Sequence, residues 1–291
     1  MAPKYVFSEM LRNQLSILYI NNKDPFVLIL IFAVLLSPFW VKTIRGILRR
    51  QRLERLFGEK QAVFDGILLD SNPYYGSLGS VGRERFLKRV LAFMDSKEFR
   101  YIALEPETRM PLLISAVAVQ LTFGLENYLL DYFDIIYVLK DNYRFGLYNV
   151  PFEGHVSEDG IYLSWSNFLR ELSDYTDGQN LGLHEMAHAL TYVNFRDGDG
   201  RDDEFYHKFR DFSAIARPVF EGMQAGGVNL LDPYAATNYE EFWAVSIENF
   251  FERPGIFQVQ LPEVYGALCR LLNQDPLTPD KLLIPLEGCS I

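Results

Sequence analysis

The residues of this sequence with the clearest chemical potential form the pentapeptide His184-Glu185-Met186-Ala187-His188. Side chains four positions apart lie on one face of a helix, so His184 and His188 can bind one metal ion. Glu185 stands beside them, where a carboxylate can hold a water molecule without being a ligand. Zinc lowers the pKa of a bound water to about 7, and the carboxylate can accept the proton that this water loses. The pattern is typical of metalloproteases.

A third ligand is needed, because catalytic zinc usually has three protein ligands and one water molecule. The metzincin pattern would place a glycine and a histidine at the positions of Thr191 and Asn194, so that class is excluded. The remaining candidates are His155, His207 and a carboxylate on a later helix.

The segment 239–252 is predicted to be a helix that offers Glu240, Glu241 and Glu248. Glu241 and Glu248 share one face of this helix, with Ala244 between them. On that face Glu241 can approach the metal, and Glu248 can support a ligand from behind. Spacing alone does not separate Glu240 from Glu241.

The elements that must position these residues are mostly helical. Apolar residues at helical spacing predict helices at 82–96, 109–129, 178–193, 202–216, 239–252 and 262–273. Two runs of β-branched and aromatic residues, 134–140 and 160–165, predict strands. The sequence therefore predicts a helix-dominated α+β fold with a small sheet. We expect the strand 160–165 to be available for pairing with an extended substrate.

The N-terminal part contains an uncharged apolar run, Phe26 to Val41, with Pro38 inside it. It is slightly shorter than the roughly 17 to 25 residues of a spanning helix, so a buried helix or an interfacial hairpin is the alternative. Basic residues follow the run: Lys42, Arg45, Arg49, Arg50, Arg52 and Arg55. By the positive-inside rule, this predicts a single-pass membrane protein whose C-terminal part faces the cytoplasm.

The predicted organisation has four parts: an N-terminal segment (1–25), a transmembrane anchor (26–41), a basic juxtamembrane linker (42–56) and a catalytic domain (57–291). The net charge of the chain is −10 although the linker is basic, so the catalytic domain is acidic and is not expected to bind nucleic acid. The two cysteines, Cys269 and Cys289, provide neither a disulfide framework nor a cysteine-rich metal site.

Several longer motifs resemble the Mlc titration factor A family of zinc peptidases, over roughly residues 57–277. These motifs are HEMAHAL at 184–190, LDPYAATNYEEFWAVSIENFFERP at 231–254 and LPEVYGAL at 261–268. The sequence LSW at 163–165, and the helical stretch 109–129 followed by DIIYVL, are also similar. The long block at 231–254 is the most distinctive of them.

The resemblance implies a zincin-like peptidase domain of the gluzincin type that binds one Zn²⁺ per chain. Its metal ligands would be His184, His188 and Glu241, and Glu185 would be the catalytic glutamate. A family tyrosine that assists catalysis corresponds to Tyr234, whose hydroxyl could donate to the developing oxyanion.

Three departures from the family pattern stand out. Met186 replaces a phenylalanine, Thr191 replaces an aspartate near the site, and the acidic segment 196–204 replaces a glycine-rich loop. The segment 196–204 is rich in carboxylates, as calcium loops are, but the EF-hand spacing is not met, so we interpret it as a solvated turn.

Two functions are compatible with the sequence. The first is hydrolysis of peptide bonds in a peptide or protein substrate. The second follows from the family name: a regulatory protein that sequesters a transcriptional repressor, with weak or absent peptidase activity. The intact Glu185 favours the enzyme, because a structural zinc site does not require it and is usually closed by a fourth protein ligand. A membrane protein without a metal would require the motif to be accidental.

Overall fold

The computed structural model describes residues 25–144, 151–195 and 202–280, with the backbone alone for residues 25–39. It divides into two compact units, Met1–Arg52 and Leu53–Ile291. The second unit contains the predicted catalytic motif. The predicted segment 1–25 and most of the acidic segment 196–204 lie outside the described residues.

Ten α-helices and four strands make up the described part of the chain. The helices are α1 Pro25–Ser71, α2 Pro73–Ser77, α3 Ser80–Ser96, α4 Arg109–Thr122, α5 Trp165–Glu171, α6 Leu181–Phe195, α7 Asp203–Gln224, α8 Tyr239–Glu252, α9 Pro254–Gln260 and α10 Pro262–Leu272. The strands are β1 Glu98–Ile102, β2 Ile135–Leu139, β3 Gly154–Ser157 and β4 Gly160–Ser164, and a 3-10 turn spans Pro233–Ala236. The predicted helix-dominated α+β fold with a small sheet is confirmed.

The sheet has the order β1-β2-β4-β3. Strands β1, β2 and β4 run parallel, whereas β3 pairs antiparallel with β4 and forms one edge. Because β4 is paired on both sides, its backbone cannot receive an extended substrate, and our expectation for 160–165 is wrong. Among the described residues the edges of this sheet are β1 and β3, and the sequence did not reveal β3 as a strand.

Helices pack on the sheet face that carries the buried side chains of β2 and β4. Every residue from Leu112 to Thr122 in α4 is buried, so this helix lies at the centre of the core. It packs against α3 on one side and α6 on another, and α6 also contacts β3, β4 and α8. The helix that carries the two histidines is therefore held on several sides by other elements.

Helix α7 is longer than the sequence predicted, since it continues to Gln224 with Pro218 inside it. Proline removes a helical hydrogen bond and normally ends or kinks a helix. Here the buried stripe of the helix continues beyond it: Phe205, Phe209, Phe212, Ala216, Phe220 and Met223. Burial of Phe220 and Met223 offsets the cost of the proline.

The predicted linker 42–56 is helical, because α1 runs without interruption from Pro25 to Ser71. In the described part of the chain, no helix combines the length and apolar character needed to cross a bilayer. The side chains of residues 26–39, on which the predicted anchor depends, lie outside the described residues.

Candidate metal centre

Helix α6 presents the two histidines of the motif on one face. His184 and His188 lie four residues apart, and their Nε2 atoms are 3.1 Å from each other. Asn180 starts the helix: its side-chain oxygen accepts a hydrogen bond from the Leu183 N–H, and its carbonyl accepts one from the His184 N–H. Asn180 thus satisfies two N–H groups of the first turn, as a helix cap does.

Helix α8 brings a carboxylate to the same point from the other side. Glu241 Oε2 lies 3.0 Å from His184 Nε2 and 3.6 Å from His188 Nε2. Glu241 belongs to the first turn of α8, where the Asn238 side chain accepts a hydrogen bond from its N–H at 2.9 Å. The helix cap therefore fixes the backbone that carries the carboxylate.

These three ligand atoms form a group that could hold a metal ion. Ligands about 2.0–2.1 Å from a tetrahedral zinc ion would be about 3.3 Å apart, close to the separations seen here. Two imidazoles and one carboxylate suit zinc chemically. Of the alternatives that spacing left open, His155, His207 and Glu240 do not join this group among the described residues.

The charges at the centre are coupled. Burial disfavours a charged His184, but the hydrogen bonds that its ring donates to the Glu241 and Glu248 carboxylates raise its pKa well above the ordinary value. Burial alone would raise the pKa of Glu241, but its hydrogen bonds with His184 and His188 hold it well below the usual range. Glu241 thus keeps its negative charge at the point where a cation would bind.

Glu248 supports His184 from behind. Its Oε1 lies 2.5 Å from His184 Nδ1, which leaves Nε2 directed toward the other ligands. Its Oε2 accepts a hydrogen bond from the Asn180 N–H at 3.2 Å. One carboxylate therefore orients the ligand ring and also ties the start of α6 to α8, as outer partners of metal ligands do.

A second buried glutamate extends this network. Glu252 accepts hydrogen bonds from the Asn180 side-chain amide at 2.9 Å and from the Gly178 N–H at 3.1 Å. Burial is the main reason that its pKa rises to about 9, and the charges of Asp177 and Glu248 add to the effect.

Glu185 lies against Gly154 of the edge strand β3 and lines the same cavity as His184 and His188. It is buried, and its Oε2 has no hydrogen-bond partner among the described residues. Burial raises its pKa to about 7, although the nearby His184 and His188 act in the opposite direction. A side chain at Gly154 would collide with it, because a Cβ there would lie 2.5 Å from Glu185 Oε1. The glycine of β3 thus makes room for the glutamate.

Tyr234 lies at the entrance of the site, in the 3-10 turn, and is 53% exposed. Its ring centroid is 6.3 Å from that of His184. Partial burial and then the neighbouring Glu241 carboxylate raise the pKa of its phenol, so the phenol stays protonated and able to donate. Asp232 fixes the turn by accepting a hydrogen bond from the Tyr234 N–H.

His155 follows Gly154 in β3 and lines the same cavity as His184 and Glu185, but it does not join the three ligand atoms. Its ring stacks on Tyr162 with 4.2 Å between centroids, and its Nδ1 is 2.7 Å from the Tyr143 hydroxyl. Burial lowers its pKa to about 4. It is thus a neutral member of an aromatic stack rather than a metal ligand.

Two cavities meet at the centre, and both are lined by Gly154, His184, Glu185 and Tyr234. The first, of about 600 Å³, extends along the C-terminal half of α6. The second, of about 470 Å³, extends toward the start of α6. A chain-like molecule could thus pass over the metal ligands from one cavity to the other.

The family model described as glucose-regulated metallo-peptidase M90 matches residues 48–272 of this sequence. The protein belongs to the M90 family. This match spans most of the chain, from the middle of α1 to the end of α10, and includes every residue of the candidate centre. The resemblance that the sequence motifs indicated is confirmed.

Individual relatives agree with the M90 assignment. An uncharacterized protein of Synechocystis sp. is 25% identical over 235 residues, which cover 74% of this chain and 84% of the relative. Proteins named Mlc titration factor A, from Escherichia coli and Shigella flexneri, are 31% identical over 128 residues. That alignment covers 40% of this chain and 46% of each relative.

The departures from the family pattern occupy defined places in this M90 member. Met186 is fully buried, on the side of helix α6 that faces the core. Thr191 lines the first cavity, and its hydroxyl donates to the carbonyl oxygens of Ala187 and His188. This position, one turn beyond His188, is therefore uncharged and faces the cavity.

Sequence reasoning missed the residues that hold the centre together: Gly154, Asn180, Asn238 and Glu252. An asparagine just before an apolar helical run is a recognised start signal, so Asn180 and Asn238 were accessible as helix caps. Nothing local marks Gly154 or Glu252, because their partners Glu185 and Asn180 are distant in sequence.

Proposed function

We propose that this M90 protein is a zinc-dependent peptidase whose single zinc ion is bound by His184, His188 and Glu241. The observation that carries the proposal is the convergence of these three ligand atoms beside a buried glutamate, where two cavities meet. Two histidines and a glutamate form a ligand set that known zinc peptidases use.

Each remaining residue has a role set by its position. Zinc, when bound, supplies a Lewis acid that acidifies water and polarises a carbonyl group. Glu185 accepts the proton of the attacking water and later gives it to the leaving amine. The Tyr234 hydroxyl donates a hydrogen bond to the oxygen that becomes negative in the transition state. Glu248 keeps His184 in the orientation and tautomer that ligation requires.

The environment of Glu185 favours catalysis over a purely structural metal. A structural zinc site is normally closed by four protein ligands, whereas three ligands leave a position for water. One oxygen of the buried Glu185 carboxylate has no hydrogen-bond partner among the described residues, which costs stability, and such a cost is typical of functional sites.

The metal ligands can be tested by measuring zinc content of the purified full chain and of Glu241→Gln. We expect about one zinc ion per chain in the parent and a large loss in the variant. Absence of zinc from the parent, after purification without chelators, would contradict the proposal.

The catalytic role can be tested with Glu185→Gln, using zinc-loaded full chain and a denatured protein such as casein as substrate. We expect the variant to keep its zinc and to lose hydrolysis by at least a hundredfold, because the general base is removed. Equal hydrolysis by both proteins would exclude Glu185 as the base.

The second candidate function is repressor binding, favoured by the name of the relatives, Mlc titration factor A. In that case the protein sequesters a transcriptional regulator and the metal centre is regulatory. Glu185→Gln separates the two functions: it should abolish hydrolysis and leave binding of a regulator intact. A regulator captured equally by both proteins, with no hydrolysis by either, would favour the second function.

The membrane anchor at 26–41 is a separate proposal, supported by the uncharged run and the basic residues after it. It places the peptidase unit in the cytoplasm. A reporter fused to the N-terminus should then be found outside the cytoplasmic membrane, and recovery of the intact fusion from the cytoplasm would contradict this orientation.

A further inference from the structure

We infer that residues 40–52 of α1 bind the surface of a membrane that is rich in anionic phospholipid. An apolar stripe along this segment enters the lipid, and a basic face beside the stripe contacts the phosphates of the headgroups. This binding is additional to the anchor proposed at 26–41, because it is carried by described side chains at and after the end of that run and selects one class of lipid. It does not depend on the peptidase function.

The apolar stripe is exposed along its whole length. Its members recur at the spacing that places side chains on one face of a helix: Trp40, Val41, Ile44, Ile47 and Leu48. Between 46% and 58% of the surface of each is exposed. Large apolar side chains that are exposed next to one another mark a binding surface, whereas single ones do not.

The basic face runs beside this stripe. Its members follow one another at intervals of three or four positions: Lys42, Arg45, Arg49 and Arg52. All of them are exposed, and Arg50, on the other flank of the stripe, adds a fifth basic group. Residues 40–52 include no aspartate or glutamate. A helix with an apolar face and a face rich in lysine and arginine is typical of a segment that binds a membrane surface.

The distribution of charge selects anionic lipid. Residues 40–52 carry +5, whereas the whole chain carries −10, so the remaining residues together carry −15. An anionic surface therefore attracts this segment and repels the rest of the chain. The cytoplasmic leaflet, toward which the proposed anchor directs the segment, is the anionic one.

A second copy of the chain fits this segment less well than a membrane does. Two such helices packed stripe to stripe would bring two sets of five positive charges together, and like charges at close range repel. Trp40 also favours a membrane, since it stands where the uncharged run ends and the basic residues begin. Tryptophan is enriched at the boundary between lipid and water.

Quenching of tryptophan fluorescence by brominated lipid measures which lipid surrounds the segment. Trp40 is 55% exposed, whereas Trp165 and Trp243 are buried, so Trp40 is the tryptophan that lipid can reach. The full chain is reconstituted in vesicles of equal amounts of phosphatidylcholine and phosphatidylglycerol, with bromine on the acyl chains of one lipid or of the other. We expect phosphatidylglycerol to be preferred around Trp40 by about fivefold or more at low salt. Trp40→Phe, the control for the signal, should lose the quenching by both lipids.

Charge variants of the full chain test which residues select the lipid. One variant replaces three arginines of the basic face: Arg45→Gln, Arg49→Gln and Arg52→Gln. The matched control removes the same charge at exposed positions of the second unit: Arg109→Gln, Lys140→Gln and Arg210→Gln. The first variant should lose the preference for phosphatidylglycerol, and the control should keep it. Equal quenching by the two lipids in the parent would overturn the inference and leave the anchor standing, whereas no quenching by either would contradict both.

Photocrosslinking from the apolar stripe distinguishes lipid from a protein partner. The full chain, with benzoylphenylalanine in place of Ile44, is irradiated in vesicles that contain phosphatidylglycerol, and mass spectrometry identifies the products. We expect adducts with phospholipid. The same label in place of Val259, an apolar residue of α9 that is 80% exposed, should give far fewer of them. A crosslink from position 44 to a second copy, or to another part of the same chain, would show that protein covers the stripe and would overturn the inference.

Discussion

At the residue scale, the position of Glu185 depends on the absence of a side chain at Gly154 in β3. The Glu185 carboxylate occupies the space next to the Gly154 Cα, and its backbone is fixed because α6 packs on several neighbours. A displacement of about 1 Å at a catalytic group can reduce a rate by about a hundredfold. The glycine is therefore a positioning residue for the proposed base.

Gly154→Ala should lower kcat about a hundredfold with little change in zinc content, because the atoms nearest to the added methyl group all belong to Glu185. Steady-state kinetics and metal analysis of the zinc-loaded full chain measure the two effects. Gly255→Ala is the matched control, since a Cβ there would meet nothing within 4 Å. An alanine variant at 154 with parental kcat would show that Glu185 is not held by this contact.

Glu248→Gln should weaken zinc binding by about ten- to a hundredfold, as loss of an outer partner of a ligating histidine typically does. The carboxylate accepts from both His184 Nδ1 and the Asn180 N–H, and the single amide oxygen of glutamine can satisfy only one of them in the same geometry. Competition with a chromogenic zinc chelator measures the affinity. Unchanged affinity would mean that His184 keeps its orientation without Glu248.

At the element scale, α7 keeps a proline because its buried stripe extends on both sides of it. Pro218 itself is exposed, so little packing is lost when it is replaced. Pro218→Ala should restore an N–H donor opposite the Ala214 carbonyl and raise the free energy of unfolding by about 1–2 kcal/mol, part of the usual cost of an interior proline.

Chemical denaturation of the full chain measures this change, with Glu221→Ala, at an exposed position of the same helix, as the control. A decrease in stability for Pro218→Ala would indicate that a bend at Pro218 is needed for Phe220 to reach the core.

Elements with strong apolar periodicity could be predicted from the sequence, whereas those defined by distant partners could not. The helices α3, α6 and α8 and the strands β2 and β4 begin and end within a few residues of their predicted limits. The edge strand β3 reads Gly-His-Val-Ser and has no local pattern of its own, since only pairing with β4 makes it a strand. The same limit explains why β4 was predicted to face the substrate.

The candidate centre shows the same division. A helix with histidines four apart brings His184 and His188 together by its own geometry. The contact of Glu241 with them depends on how α8 packs against α6, which residue spacing left open and which only the family resemblance specified. The contact of Glu252 with Asn180 spans 72 positions of the chain and has no local signature.

At the scale of the whole molecule, helix α8 carries three inward carboxylates that follow one another along its length: Glu241, Glu248 and Glu252. The first lies against His184 and His188, the second contacts His184 from behind, and the third holds the loop before α6. Carboxylates at such depth repel one another and lose hydration, so the protein stores a cost that a bound cation would relieve at one end. At the Glu252 end of the helix, protonation of the carboxylate can relieve the same cost.

The free energy of unfolding of the full chain should therefore fall as the pH rises, because Glu252 loses its proton. Its pKa is about 9 in the folded protein and near 4.5 when unfolded, so between these values the folded chain holds one proton more. The stabilisation by protonated Glu252 is fully present below the unfolded pKa of 4.5 and is lost progressively as the pH rises to the folded pKa of about 9. The loss is at most about 1.4 kcal/mol per pH unit.

Glu252→Gln removes this pH dependence but loses one hydrogen bond, so the variant should be less stable than the parent at pH 5 and approach or exceed the parent's stability at pH 9. Urea denaturation with excess chelator at five pH values measures the difference, and Glu59→Gln, at an exposed position, should run parallel to the parent. If Glu252→Gln also ran parallel, Glu252 would be ionised in the folded protein.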